Sequence, residues 1–189
     1  MGITYKKSFT LIETIVVIAV IRLILPVVFS IFFVLLQQQT KIYRLNTVKK
    51  EGDYLIGIIE NTLRNDTKSI HSAEPPTDSN IKCSTENSNY SSLTSLYFLD
   101  KKDQWFGYLL NGDAIAFTSE PTPTSVNLNS LKTKISGFSI SCSRNSLYSP
   151  PSVSLSFTIQ YCNDVACAQT RPEEIASLFY RTKIKLRNY

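Results

Sequence analysis

From Phe9 to Leu36 the chain carries only two formal charges, Glu13 and Arg22, in an otherwise apolar run. No other feature constrains the fold so tightly. A bilayer is crossed by about 20 apolar residues in a helix, and this run is longer. Lys6 and Lys7 stand just before it, and basic residues flanking a span stay on the cytoplasmic side, so the larger part of the chain is expected outside. The run is not built like a cleavable secretory signal, whose apolar region covers about 7–15 residues and ends in a small-x-small site. Here Gln37-Gln38-Gln39-Thr40 closes it. The simplest reading is a single-pass anchor, and the two charges are what that reading leaves over. An ionised side chain at membrane depth costs about 2.5–3.5 kcal/mol on insertion scales and generally has a functional partner. A long arginine near an interface can snorkel to the headgroups; Glu13 is shorter.

Lys6-Lys7-Ser8-Phe9-Thr10-Leu11-Ile12-Glu13, running on into Ile15-Val16-Val17-Ile18-Ala19, resembles the class III signal of type IV pilins and type II secretion pseudopilins. The resemblance implies cleavage by a prepilin peptidase between Ser8 and Phe9, N-methylation of Phe9, and Glu13 as the signature acid of the mature chain. It also implies a pilin-like α+β fold, with one long N-terminal helix packed on an antiparallel sheet. Storage in the cytoplasmic (inner) membrane, in contact with lipid, would precede insertion into an extracytoplasmic filament. The implied partners are an inner-membrane assembly platform and other pilin or pseudopilin subunits. The charges acquire a reason in that setting. A cut before Phe9 creates an α-amine, which is an ammonium at neutral pH, and this cation can meet Glu13 of a neighbour. Each buried charge is costly alone and tolerable as a pair, so the pairing enforces axial register.

The chain departs from the family at three places. Ser8 stands where glycine is nearly invariant, Arg22 where many members carry glycine, and Pro26 breaks the helix earlier than usual. Arg22 follows Glu13 by nine residues, about half a turn out of phase and roughly 13 Å along the axis. The two cannot pair within one helix, but a subunit-to-subunit step could bring them together.

After Gln39, Ile42, Leu45, Val48, Leu55, Ile59 and Leu63 recur at helical spacing, with Lys41, Arg44, Lys49, Lys50 and Glu51 on the other face. Gly52 and Gly57 weaken this helix by about 1 kcal/mol each relative to alanine, so packing on a sheet must hold it. Residues 65–92 have loop composition. Beyond them lie period-2 segments at 93–99, 104–110, 114–118, 138–142, 153–161 and 178–186. They predict an antiparallel sheet of about six strands with one apolar face. The expected organisation is a leader at 1–8, a transmembrane half-helix at 9–36, an amphipathic half at 37–66 and a β-rich head at 67–189.

Four cysteines, 83, 142, 162 and 167, sit on the outer, oxidising side where disulfides persist. Three connectivities are open; Cys162 and Cys167 are near enough to close their own loop, leaving Cys83 to join Cys142. Their spacing does not suit a metal, and no cofactor is expected. His71, the only histidine, reads as a surface loop residue. With no Gly-x-Ser-x-Gly elbow and no phosphate-cradling glycine loop, nothing points to an enzyme. Trp105, Phe106 and Tyr108 read as sheet packing. The net charge of +5 is spread along the chain, unlike the basic face of a nucleic-acid binder. Arg181, Lys183, Lys185 and Arg187 alternate as on the wet face of a strand, with an anion-binding stripe as the other reading. The head's size and long C-terminal strand resemble the larger minor-pilin type, similar to the J-like pseudopilins. The reading from a different class is a membrane-anchored extracellular binding module that never assembles.

Overall fold

The computed structural model describes residues 10–121, 124–162, 167 and 175–187. The expected leader, the Ser8–Phe9 cleavage point and the Glu173-Glu174 pair lie outside them. One helix, α1, runs unbroken over Leu11–Asp66, a length of about 84 Å at 1.5 Å per residue. Ten strands follow among the described residues: β1 (Thr67–His71), β2 (Ile81–Lys82), β3 (Ser88–Ser92), β4 (Ser95–Asp100), β5 (Trp105–Asn111), β6 (Ala114–Ser119), β7 (Val126–Asn127), β8 (Thr133–Arg144), β9 (Ser152–Tyr161) and β10 (Ser177–Lys185). All pairings are antiparallel. The expected α+β architecture is thus present, with the strands divided between two sheets. The first has six strands in the order β2-β1-β4-β5-β6-β7, and the second has four in the order β10-β9-β8-β3.

The two halves of α1 behave differently. Every residue from Thr10 to Leu36 is exposed, and this half is long and apolar enough to cross a membrane. The second half buries a stripe of Arg44, Val48, Gly52, Leu55, Ile59 and Leu63, spaced by three or four residues as a helix face requires. That stripe lies against β9 and β10. Arg44, expected on the wet face, is instead 9% exposed, with its guanidinium 5.5 Å from the centre of the Tyr161 ring. The planar cation covers the ring and its alkyl stem covers apolar surface, which offsets the cost of burial. Ile42, expected on the docked face, is 57% exposed.

Gly52 is a packing position. A Cβ there would lie 2.2 Å from the Tyr180 ring. The absent side chain lets that ring lie against the helix backbone, where its one hydroxyl proton is shared between the Lys49 carbonyl at 3.1 Å and Asp53 Oδ1 at 3.0 Å. The ring's other neighbour is Phe157, stacked at 5.5 Å. One side chain therefore ties β10 to β9 and both to α1.

The strands of the second sheet alternate in burial. Val153, Leu155, Phe157, Ile159 and Tyr161 of β9 point inward, and serines, threonine and glutamine point outward. In β8 a bulge between Ser136 and Ser139, with Gly137 at φ +60°, resets the alternation, so that Phe138, Ile140 and Cys142 continue the inward face begun by Ile135. The first sheet contributes Ile70, Leu96, Phe98, Phe106, Tyr108 and Ile115 to the same core cluster. Gly107 sits opposite Tyr97, whose ring occupies the space a Cβ would take.

Cys83, just after β2, is bonded to Cys142 on β8. The bond closes a separation of 59 residues and joins the two sheets, a constraint on the unfolded chain of about 4 kcal/mol in the loop-entropy description. Cys162 is bonded to Cys167 across five residues. Segment 65–92, read from composition as loop, holds β1 and β3. Their residues are largely polar, so they lack the apolar alternation that reveals a strand.

Two outcomes follow from the Tyr180 contact. Gly52→Ala should destabilise the head by about 2 kcal/mol. Displacing the ring forfeits a hydrogen bond shared with a charged carboxylate, at about 2 kcal/mol, and a stacked pair at about 1 kcal/mol, against a helix-propensity gain of about 1 kcal/mol. In a Tyr180→Ala background the same substitution should stabilise, as read by denaturant melts of the full chain in micelles. The second outcome concerns pH. Burial, followed by the Asp53 carboxylate, pushes the Tyr180 phenol from 10.0 up to about 12. The neutral form is favoured by folding, so its contribution holds below pH 10 and is lost as pH rises from 10 toward 12. Phenolate absorbance and melts across that range check it; Tyr180→Phe should flatten the Tyr180 part of the slope.

Candidate functional site

The exposed half of α1 carries the residues singled out from sequence. Thr10 is the helix N-cap, and Glu13 stands three residues on. The Glu13 carboxylate accepts from the Thr10 backbone N–H at 2.9 Å and from its hydroxyl at 2.9 Å, while the Thr10 hydroxyl oxygen accepts from the Glu13 N–H at 3.4 Å. This reciprocal arrangement is a capping box. It satisfies two of the backbone donors that every helix start leaves open and puts a negative charge at the positive end of the helix dipole. Glu13, expected to face a neighbour, thus also has a partner on its own helix start.

Arg22 sits elsewhere. Because α1 is continuous through Pro26, Arg22 lies near the midpoint of the apolar run, about 20 Å from either end. A side chain cannot snorkel that far. It lies beside Ile15, Ile18, Ala19 and Leu23, with which it lines a shallow surface hollow. Among the described residues it makes no ion pair. Pro26 is four residues after Arg22 and has no N–H, so the Arg22 carbonyl loses its helical donor. A guanidinium and an unpaired carbonyl thus share one level of an apolar helix. The structure does not bring Glu13 and Arg22 together, in keeping with their half-turn offset.

In the head, His71 is buried at 3% exposure rather than on the surface. Its Nε2 lies 2.8 Å from Ser69 Oγ, and its Nδ1 lies 2.7 Å from Asn80 Oδ1 and 3.2 Å from the Thr77 carbonyl. It fastens the turn after β1 to the sheet, a structural use that its loop-like sequence context concealed. Among the described residues no group of three or more His, Cys, Asp or Glu gathers as a metal ligand set. Trp105 packs edge-on against Tyr97, and Phe106 and Tyr108 join the core. Tyr108 is fully buried against the helix end near Thr62 and Asp66, and burial pushes its phenol up to about 12.

No family model, curated protein or solved structure matches the chain. The long apolar helix and the antiparallel head therefore stand on their own geometry.

The capping box has a direct test. Thr10→Ala removes the hydroxyl that bonds the Glu13 N–H and carboxylate, and should cost about 1 kcal/mol at the helix start. Amide exchange in micelles should quicken for residues 11–14 and stay unchanged beyond residue 40.

Proposed function

We propose that the chain is a structural subunit of a type IV pilus-like or type II secretion-like filament, of the minor-pilin or pseudopilin kind. A prepilin peptidase cuts between Ser8 and Phe9, Phe9 is N-methylated, and the mature subunit waits in the membrane before its apolar helix packs against others. The observation that carries this reading is Arg22. It is a charge at mid-depth of an apolar helix with no ion-pair partner among the described residues of its own chain. Such a charge calls for a carboxylate from another chain. Glu13 of a neighbour shifted by roughly 13 Å along the axis supplies one at the right level. The hollow beside Ala19 leaves room for a neighbouring side chain to approach.

The capping box favours a second reading, a single-pass anchored binding module that does not assemble. If Glu13 serves only its own helix start, no neighbour is needed to account for it. Glutamine separates the two, because it completes a capping box as glutamate does but carries no charge. Under the filament reading, Glu13→Gln should keep the helix start and membrane insertion while abolishing incorporation into filaments recovered by shearing. Under the anchored-module reading it should change nothing. Exchanging the charges, Glu13→Arg with Arg22→Glu, should restore incorporation lost in either single variant. Mass spectrometry of the purified chain should find N-methyl-Phe at position 9; an intact Met1 would end the filament reading.

A further inference from the structure

The outward face of the second sheet is made almost wholly of hydroxyls and cations. Its register aligns them in rows: Lys185 with Ser152, Ser143 and Asn89; Lys183 with Ser154, Ser141 and Ser91; Arg181 with Ser156 and Ser139. No carboxylate stands in these rows. Among the described residues Arg181, Lys183 and Lys185 make no ion pair. Alternate residues of a strand are about 6.8 Å apart, so β10 presents an evenly spaced line of positive charge at the sheet edge.

At one end the face becomes concave. Ser143, Asn145, Ser149, Ser152, Lys183 and Lys185 line a hollow of about 350 Å³. Its wall is the turn between β8 and β9, and that turn is fastened by Arg144. The guanidinium donates to the carbonyls of Ser146 at 3.2 Å, Ser149 at 3.1 Å and Leu147 at 2.6 Å, and to Ser84 at 2.8 Å. Those carbonyl oxygens point at Arg144, which does not line the hollow. What the hollow offers is therefore the ammonium groups of Lys183 and Lys185 on a preformed polar wall. It also faces away from the membrane-spanning half of α1. Tyr161 lies beside Arg44, and Tyr180, paired with Phe157, lies beside Lys49 and Asp53. Ser152 is thus carried further along the helix, to the distal end of the head.

We propose that this distal hollow and the β10 edge bind a polysaccharide carrying sulfate or phosphate esters. The two lysines suit a tetrahedral oxyanion, by charge-assisted hydrogen bonds, while Ser143 and Ser152, whose hydroxyls pair with each other at 3.1 Å, give the hollow a polar floor. The rows of free hydroxyls on Ser141 and Ser154 suit the sugar hydroxyls alongside it. Single-stranded nucleic acid would need a series of aromatic platforms for successive bases. Here the exposed aromatics are Tyr148, alone on the turn beside Ser149, and Phe179, six residues from Lys185 and about 20 Å away, too few and too far apart to stack neighbouring bases. The site goes beyond the filament reading and does not depend on assembly.

The test uses the full chain in micelles, titrated against heparin as the sulfated probe, a phosphomannan as the phosphorylated one, and a single-stranded oligonucleotide of equal charge. Lys183→Ser with Lys185→Ser should weaken binding to at least one polysaccharide by about tenfold. Ser152→Asp, which keeps both lysines, should do the same. Lys101→Ser with Lys102→Ser, an equal charge change at the β4–β5 turn, should leave binding within about twofold. Equal loss in both lysine pairs would mean net charge alone and overturn the site. Failure of the wild type to bind either polysaccharide would overturn it too, as would tighter binding of the oligonucleotide. Thermal melts of each variant separate lost binding from lost folding.

Discussion

The head depends on how closely the Tyr180 ring approaches α1 at Gly52. A side chain at that position would hold the sheet off the helix. The ring instead reaches the backbone, bonds to the Lys49 carbonyl and Asp53, and stacks on Phe157. Around this contact the apolar stripe from Val48 to Leu63 closes on the inward face of β9 and β10. The glycine's unfavourable helix propensity is offset by what its missing Cβ lets in. Everything beyond is arranged by strand pairing from that docked pair: β8 and β3 on one side, and the first sheet through the shared core and the Cys83–Cys142 bond.

The same helix obeys two rules along its length. Its first half is apolar on every side and finds no partner among the described residues of its own chain; its second half is apolar on one side and is covered. This division separates the chain's two interaction problems. The exposed half must be matched by lipid or by other helices, and its two charges must be matched with it. Glu13 is met locally by Thr10, whereas Arg22 is met by nothing on its own helix. The asymmetry makes Arg22, more than Glu13, the residue that argues for neighbours. The head, meanwhile, turns a hydroxyl-and-lysine face outward along β10, away from the exposed half of α1, so that the binding proposed there and the demands of the apolar helix involve different surfaces.

Much of this was legible in residues alone. The 9–36 run follows from its nearly unbroken apolar composition. The amphipathic continuation to residue 66, the strands expected at 93–99, 104–110 and 114–118 and the two long ones expected at 153–161 and 178–186 follow from hydrophobic period, because each has one strongly apolar face. β1 and β3 escaped for the opposite reason: Thr67-Lys-Ser-Ile-His71 and Ser88-Asn-Tyr-Ser-Ser92 are polar strands fixed by their partners. Nothing near His71 in the sequence marks it as buried, because its polar neighbours Ser69, Thr77 and Asn80 are brought to it by the fold of 69–80 rather than by a motif. Arg44 has the polarity of a wet-face residue, and what lets it turn inward is the Tyr161 ring, which lies far from it in the chain.

Period and composition thus settle which segments are helix or strand and which face of each is apolar, since those depend on residues near in sequence. They also limit what the N-terminal segment can be, because so long an apolar run has few soluble solutions. Tertiary structure alone decides that the strands form two sheets, that Gly52 is a contact rather than a weakness, and that Lys183 and Lys185 share a hollow with Ser143 and Ser149. Each of those facts rests on atoms brought together from positions far apart in the chain, and no local pattern encodes which distant partner a surface will meet.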